Sequence, residues 1–444
     1  MSAEKTMRQG YHDLIRRDIL DMIPTTAKCV LDLGCGTGNL GKALKARQTC
    51  HVAGVELNKD AAAIAAKALD KVYCDNLNRL DLSQEKQQYD CLILGDILEH
   101  LVAPWSVLTK TVAALVPDAT VIASVPNVAH PWIISQLQKG LFRYEPAGIL
   151  DVTHLRFFTK TTIGQLFYKA GLKITSIKSI PSVQNPIQYY VTAIKPKCAK
   201  HNPVATIVIL TRNNLNYTKE CIKSIRKNTT LEHKVVVVDN GSTDGTVEYL
   251  RESKCIFHIE NDANLGFARG FNIGIECVNT PFFVILNNDT AVTHKWLANM
   301  LYHLGNDESL MAVGPCSNYV SGPQHVAGAI YAGMDGLQQF ANEFRHRQGN
   351  GLTYFDRIVF FCTLFRSEVI SKVGLLDEQF EVGNFEDDDY CMRIKQKGGR
   401  LAFVDGVFVH HAGSATFKSE KIDYAKVMET NGALFMKKWG RKPV

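Results

Sequence analysis

No stretch of this chain reaches the roughly 18 consecutive apolar residues that span a bilayer, although hydrophobic residues make up 46% of it. Its first ten residues are polar and lack the apolar core of a secretory signal. These two absences lead to the expectation of a cytoplasmic protein. The 12 cysteines include no Cys-x-x-Cys pair, so neither a disulfide framework nor a zinc site is indicated. Cys29, Cys91 and Cys277 lie in apolar surroundings and read as buried thiols. A strong charge of one sign is also missing. A net +6, spread along 444 residues, provides no basic stripe for nucleic acid. Lysines gather at Lys195, Lys197 and Lys200, and again at Lys437, Lys438 and Lys442. Solvated faces are the plainer reading of both groups, and peripheral contact with the inner membrane surface is the other. Internal repeats and low-complexity segments are lacking, and the sequence does not speak to oligomeric state.

What the chain has is length and alternation. It is too long for one ordinary core, and β-branched runs alternate with helical patterns throughout, which predicts α/β architecture with parallel sheets covered by helices. Strands are expected at 29–33, 52–56, 91–94 and 120–125, then at 205–210, 234–239, 256–259 and 282–286. Between the two sets lies a segment with two prolines (Pro196, Pro203) and little apolar content. The expected organisation is a domain over 1–195, a linker over 196–203 and a second domain over 204–444.

In the first half, Leu31, Asp32 and Leu33 run into Gly34, Gly36, Gly38 and Gly41. Such a turn lets a ligand approach the backbone at a helix N-terminus. Gly36-x-Gly38-x-x-Gly41 satisfies the dinucleotide fingerprint literally. Asp32 speaks against that reading, because a carboxylate there repels a pyrophosphate and suits a ligand carrying an ammonium group. Glu56 ends the next strand, where a carboxylate accepts from both hydroxyls of a ribose. Asp75 follows in an adenine-side loop, and Asp96, Glu99 and His100 leave the fourth strand. At these residues the sequence resembles the class I S-adenosylmethionine-dependent methyltransferases, with a Rossmann-like fold, over nearly all of 1–190. The resemblance implies that Asp32, Gly34 and Gly36 lie near the methionine part of the cofactor and Glu56 on the ribose, with Gly38 also at the cofactor. Asp75 and Asp96 would lie at the adenine or the cofactor rim. His100, His130 and His154 are candidate general bases toward an acceptor hydroxyl, each with the alternative of a packing or loop-bracing role.

In the second half, the apolar run Phe282 to Leu286 ends abruptly in Asn287, Asn288 and Asp289. A carboxylate there is badly placed for stability and well placed to hold a divalent cation against a phosphorylated ligand. Thr211 and Asn213 end one strand and Asp239 another, where it is set to accept from a nucleobase or ribose. Asn264, Gly266 and Arg269 follow, with Arg269 expected to neutralise a diphosphate or else to be a surface cation. Glu386, Asp387, Asp388 and Asp389 form an acidic run among the aromatics Phe380, Phe385 and Tyr390, unlike a solvated face. Here the sequence resembles the GT-A-fold family 2 glycosyltransferases, in particular the rhamnosyltransferase-like branch, from about 204 to the end. The resemblance implies Asp289 and His410 or His411 as ligands of Mn or Mg, and Asn288 at the donor. Asn287 stands where the two-aspartate form of the motif has its first carboxylate. Asp387 is expected as the catalytic base, with Asp388 second.

The combined expectation is a bifunctional transferase of bacterial surface-glycan biosynthesis. One domain would move a sugar with inversion from a nucleotide-sugar donor to a saccharide or lipid-linked acceptor. The other would transfer a methyl group from S-adenosylmethionine, O-methylation of the same glycan being one form of this. The alternative is a glycosyltransferase whose N-terminal Rossmann domain binds NAD or serves as a non-catalytic scaffold.

Overall fold

The computed structural model describes residues 15–442 except 81, 83–84, 86–87, 181–184, 198–202, 381–382 and 414–422. Most of the expected linker therefore lies outside the described residues. The chain divides into two compact units, 1–199 and 200–444.

The first unit is built on a seven-stranded sheet: β1 (Cys29–Leu33), β2 (His51–Glu56), β3 (Lys71–Cys74), β4 (Tyr89–Gly95), β5 (Leu115–Pro126), β6 (Lys173–Ile180) and β7 (Gln188–Ile194). Their order is β3-β2-β1-β4-β5-β7-β6. The run from β3 to β5 is parallel, as the near-continuous apolar runs predict for strands buried on both faces. The expectation of a purely parallel sheet fails at β7, which lies antiparallel to β5 and β6. Only 181–187 join β6 to β7, too few residues for the crossover of a dozen or more that a parallel pair needs.

The second unit carries an eight-stranded sheet of order β10-β9-β8-β11-β15-β13-β16-β14. Here β8 is Ala205–Thr211, β9 His233–Asp239, β10 Phe257–Glu260, β11 Phe282–Asn287, β13 Leu310–Cys316, β14 Leu352–Tyr354, β15 Cys362–Arg366 and β16 Arg400–Phe408. Two short strands, β12 (Thr290–Ala291) and β17 (His410–His411), pair separately. This sheet is mixed as well, because β15 runs antiparallel to β11 and β13, with Phe283 stacked on Phe365 at 4.9 Å. The reversal matters for the site. It places Cys362 opposite Leu286, so the segment entering β15 arrives at the edge where the parallel strands end.

In both sheets the chain reverses its direction of travel at the first strand, between β1 and β4 and between β8 and β11. Open α/β sheets bind ligands in the crevice outside the carboxyl ends of such strands. Among the described residues ten cysteines are free thiols. Cys255 departs from the reading of unpaired cysteines, since it is disulfide-bonded.

Candidate active sites

At the carboxyl edge of β8 and β11 lies a cavity of about 790 Å³ lined by Thr211, Asn264, Asn288, Asp289, His411, Asp387 and Asp388, among others. β11 delivers Asp289, and the pairing of β12 with β17 sets Thr290 opposite His411. The Ala412 N–H donates to the Asp289 carbonyl at 2.9 Å, closing the corner. His411 Nε2 then stands 3.1 Å from Asp289 Oδ1. Its Nδ1 faces the Tyr319 carbonyl oxygen at 2.8 Å. A carbonyl only accepts, so Nδ1 carries the hydrogen. Nε2 therefore faces a carboxylate oxygen, an arrangement that a cation or a proton between them satisfies. His410 points elsewhere, with Nδ1 2.6 Å from the Tyr331 hydroxyl.

The acidic run opens the helix Glu386–Gln396, entered through Phe385 in the left-handed conformation (φ 73°). All four carboxylates are buried in its first turn, where the helix dipole favours negative charge. They have separate surroundings. Asp389 accepts from Arg393 Nε at 2.8 Å and Trp439 Nε1 at 2.9 Å and pairs with Lys438, so it ties this helix to the helix Tyr424–Trp439. Asp388 Oδ1 lies 2.7 Å and Asp387 Oδ2 3.7 Å from the Arg357 guanidinium. Burial and the charge of Asp387 push the Asp388 carboxyl well up, against the pull of Arg357. Burial likewise pushes Glu386 up, and its Oε2 has no partner.

The donor side is built from strand ends. Asp239 Oδ2 accepts from the N–H groups of Gly241 (3.1 Å) and Ser242 (3.0 Å), while Oδ1 is buried and unpartnered. Burial raises its pKa, so a donor from a ligand fits this atom. Asn264 Oδ1 accepts from the Gly266 N–H at 3.0 Å, and Asn213 Oδ1 from the Thr243 N–H at 2.8 Å. Asn288 spends its amide on Thr211 and Thr218 at 3.2 and 3.1 Å, which makes it a strut of the wall. Arg269 is 60% exposed and 3.9 Å from Glu378, and it is absent from the cavity wall. The cations that do line it are Arg212 and Arg357. Sequence reasoning missed both roles. Arg212 lies between Thr211 and Asn213 at the end of β8, whereas Arg357 falls in irregular chain before β15 with no pattern to mark it.

In the first unit, Asp32, Gly34, Gly36 and Asp96 surround a smaller cavity of about 100 Å³ at the ends of β1 and β4. Gly34 takes φ 79°, and a Cβ there would come within 2.9 Å of Ile97 Cδ1, so only glycine fits. Among the described residues no cation or donor meets the Asp32 carboxylate. Burial, then the charge of Glu56, pushes its pKa up to about 7. A cationic ligand would relieve that cost. Glu56 lies behind the turn, taking the Gly36 N–H at 2.9 Å on one oxygen and the Asn58 N–H at 2.8 Å on the other. Each oxygen keeps acceptor capacity for a hydroxyl. Gly38 caps the helix Asn39–Arg47 at φ 79°. Asp75 is exposed in a loop, its Oδ1 accepting from the Asn76 N–H at 2.6 Å. Asp96, itself at φ 50°, accepts from Ser124 Oγ at 2.7 Å and pairs with Arg16, a residue the sequence reading did not single out.

Beyond Asp96, Glu99 and His100 form the single turn Leu98–His100, and His154 packs its ring edge-on to His100 at 4.8 Å. Burial lowers the His100 pKa and pushes that of Glu99 well up. His130 is not in this group, since its Nδ1 accepts from the Trp132 N–H at 3.3 Å as a helix cap.

Two family models match, one to each half. A methyltransferase domain model covers residues 5–177, and the glycosyl transferase family 2 model covers 206–374. The chain joins a methyltransferase domain to a family 2 glycosyltransferase domain. Its methyltransferase half is similar to the ubiquinone biosynthesis O-methyltransferase of Aeromonas salmonicida (27% identical, over 34% of this chain and 66% of that one). Its glycosyltransferase half is similar to an uncharacterized glycosyltransferase of Haemophilus influenzae (29% identical, over 25% of this chain and 36% of that one). A solved mannosyltransferase from Pyrobaculum calidifontis, in complex with GDP-Man and Mn²⁺, aligns at TM-score 0.40 and 20% identity, covering 55% of this chain and 67% of that one. The chain spans only 36% and 29% of the length of the first two curated relatives that it matches. No helix among the described residues is long and apolar enough to cross a membrane.

Proposed function

We propose that the family 2 domain transfers a sugar with inversion from a nucleoside-diphosphate donor to a hydroxyl of a saccharide or lipid-linked acceptor, in the assembly of a bacterial surface glycan. The observation that carries this is Nε2 of His411 facing Asp289 Oδ1 at 3.1 Å in the same cavity as Asp387 and Asp388. Asp289 and His411 would hold a divalent cation, Mn or Mg, with Asn287 at the rim, its Nδ2 3.5 Å from His411 Nε2. When bound, the cation would neutralise the charge developing on the departing diphosphate. Asp239 Oδ1 would accept from the base or ribose of the nucleotide. Asp387 would take the proton of the acceptor hydroxyl as its oxygen attacks the anomeric carbon and the bond to the diphosphate oxygen breaks. Arg357, beside Asp387 and Asp388, would orient both carboxylates.

The methyltransferase domain, in the same reading, binds S-adenosylmethionine with its ammonium at Asp32 and its ribose toward Glu56. The acceptor oxygen attacks the methyl carbon, the carbon–sulfur bond breaks with its electron pair passing to sulfur, and the hydroxyl proton leaves. Nδ1 of both His100 and His154 faces a carbonyl, so Nε2 of each is the atom left to serve that proton, directly or through a bound cation. A glycan hydroxyl is the acceptor that the joining of the two domains suggests. The test is incubation of the purified chain with radiolabelled nucleotide sugars, then with labelled S-adenosylmethionine, against oligosaccharide acceptors. Label entering the acceptor in both steps supports the reading, and methyl label found only in protein or small metabolites overturns the shared-glycan part.

A further inference from the structure

Three potential ligands meet in the methyltransferase domain outside the cofactor turn. One ligand atom from each of Glu99, His100 and His154 lies within 4.8 Å of the others. The backbone holds them in register, because the Glu99 carbonyl accepts from the N–H groups of both Leu155 (2.8 Å) and Arg156 (3.0 Å). His154 Nδ1 faces the Ile149 carbonyl oxygen at 2.9 Å, and His100 Nδ1 faces that of Thr153 at 3.2 Å. Carbonyls accept only, so each imidazole donates from Nδ1 and leaves Nε2 as the atom that can ligate, the orientation that metal-binding histidines adopt when a carbonyl holds them. Glu99 is 1% exposed, and its Oε2 is buried without a hydrogen-bond partner among the described residues. A buried carboxyl beside two imidazoles is an arrangement that a cation taking the place of the carboxyl proton would satisfy.

We propose that Glu99, His100 and His154 bind a divalent first-row metal ion in the methyltransferase domain, separate from the cation expected at Asp289 and His411. Two histidines and one carboxylate form a ligand set that leaves coordination positions open for water or substrate. A cation with bonds of about 2.1 Å sets its ligands roughly 3.4 Å apart, so binding draws the three atoms together by about an ångström, within reach of side-chain rotation. Glu99 follows Asp96 by three residues, and Asp96 lines the cofactor cavity. Resting on the methyl-transfer reading above, the ion's open position is where the acceptor oxygen would lose its proton to solvent before attacking the methyl carbon.

The test uses the full chain with Asp289→Ala, which removes the other cation site, titrated with Co²⁺ and followed by visible absorption and calorimetry. One equivalent is expected to bind with ligand-field bands. Adding Glu99→Gln, or separately His154→Gln, is expected to abolish the bands and weaken binding at least about 100-fold. Cobalt binding that both substitutions leave unchanged, or no binding in the Asp289→Ala chain, overturns the proposal. S-adenosylhomocysteine binding is measured on the same samples. Its retention shows that the variants are folded, and its absence from the parent chain would count against the methyltransferase reading alone.

Discussion

The two sites use the same device with opposite electrostatic finish. Each sets carboxylates at the carboxyl ends of parallel strands beside the point where the chain reverses across the sheet. In the glycosyltransferase unit Asp387 with Asp388 is matched by Arg357, while Asp289 faces His411 across the position proposed for a cation. In the methyltransferase unit Asp32 is buried with no cation beside it among the described residues, and its pKa rises to about 7. A diphosphate donor brings negative charge and needs cations in place to receive it. A sulfonium cofactor with an ammonium group brings positive charge and is itself the missing partner. The sign of the ligand can therefore be read from which carboxylates the protein leaves uncompensated.

The largest effect should come from the acidic helix. Asp387→Asn removes the proton acceptor and is expected to lower sugar transfer by about 10²–10⁴-fold while methyl transfer stays within twofold, roughly speaking. Equal loss of both activities would break the comparison, because it would mean the substitution acts through folding. Next, Asp289→Ala should abolish the gain in nucleoside-diphosphate affinity that Mn²⁺ gives the parent chain, a loss of order 100-fold by calorimetry. Persistence of the metal effect would place the cation elsewhere.

A smaller and more diagnostic effect is the pH dependence of cofactor binding. With the free carboxyl of Asp32 titrating near 7, a cationic ligand that stabilises the ionised form must expel a proton at lower pH. S-adenosylhomocysteine affinity should be level above pH 7 and fall by up to about tenfold per unit below it. Asp32→Asn should be weak at every pH, with a flat profile. Affinity that rises on acidification would reverse the assignment. The smallest effect is expected at Arg269. It is exposed and off the cavity wall, so Arg269→Ala should leave nucleotide affinity within about twofold, whereas Arg212→Ala should lower it more.

Strand-end acids were legible because a β-branched run that stops at a carboxylate is costly without a ligand, and Asp32, Asp239 and Asp289 all fall on such runs. The glycines of the first turn were legible for a related reason, as Gly34 and Gly38 need positive φ. Which of His410 and His411 faces Asp289 was not legible, because it depends on the register of two-residue strands that no periodicity announces. Arg357 was hidden for a topological reason: only the reversal of β15 brings its loop to the site. Arg16 reaches Asp96 from 80 residues away in sequence, and Glu99 gains its meaning from His154 across the same kind of gap. The parallel-sheet expectation failed only where short connections or a reversed strand entered, which are properties of chain path and not of local composition.

The most direct test of the central claim is a crossed calorimetric titration. Parent chain, Asp32→Asn and Asp289→Ala would each be titrated with S-adenosylhomocysteine and with a nucleoside diphosphate in Mn²⁺, the base chosen as the one the parent binds. The account predicts that Asp32→Asn loses only the first ligand and Asp289→Ala only the second. Loss of both ligands in either variant, or of the wrong one, would contradict two sites tuned to ligands of opposite charge.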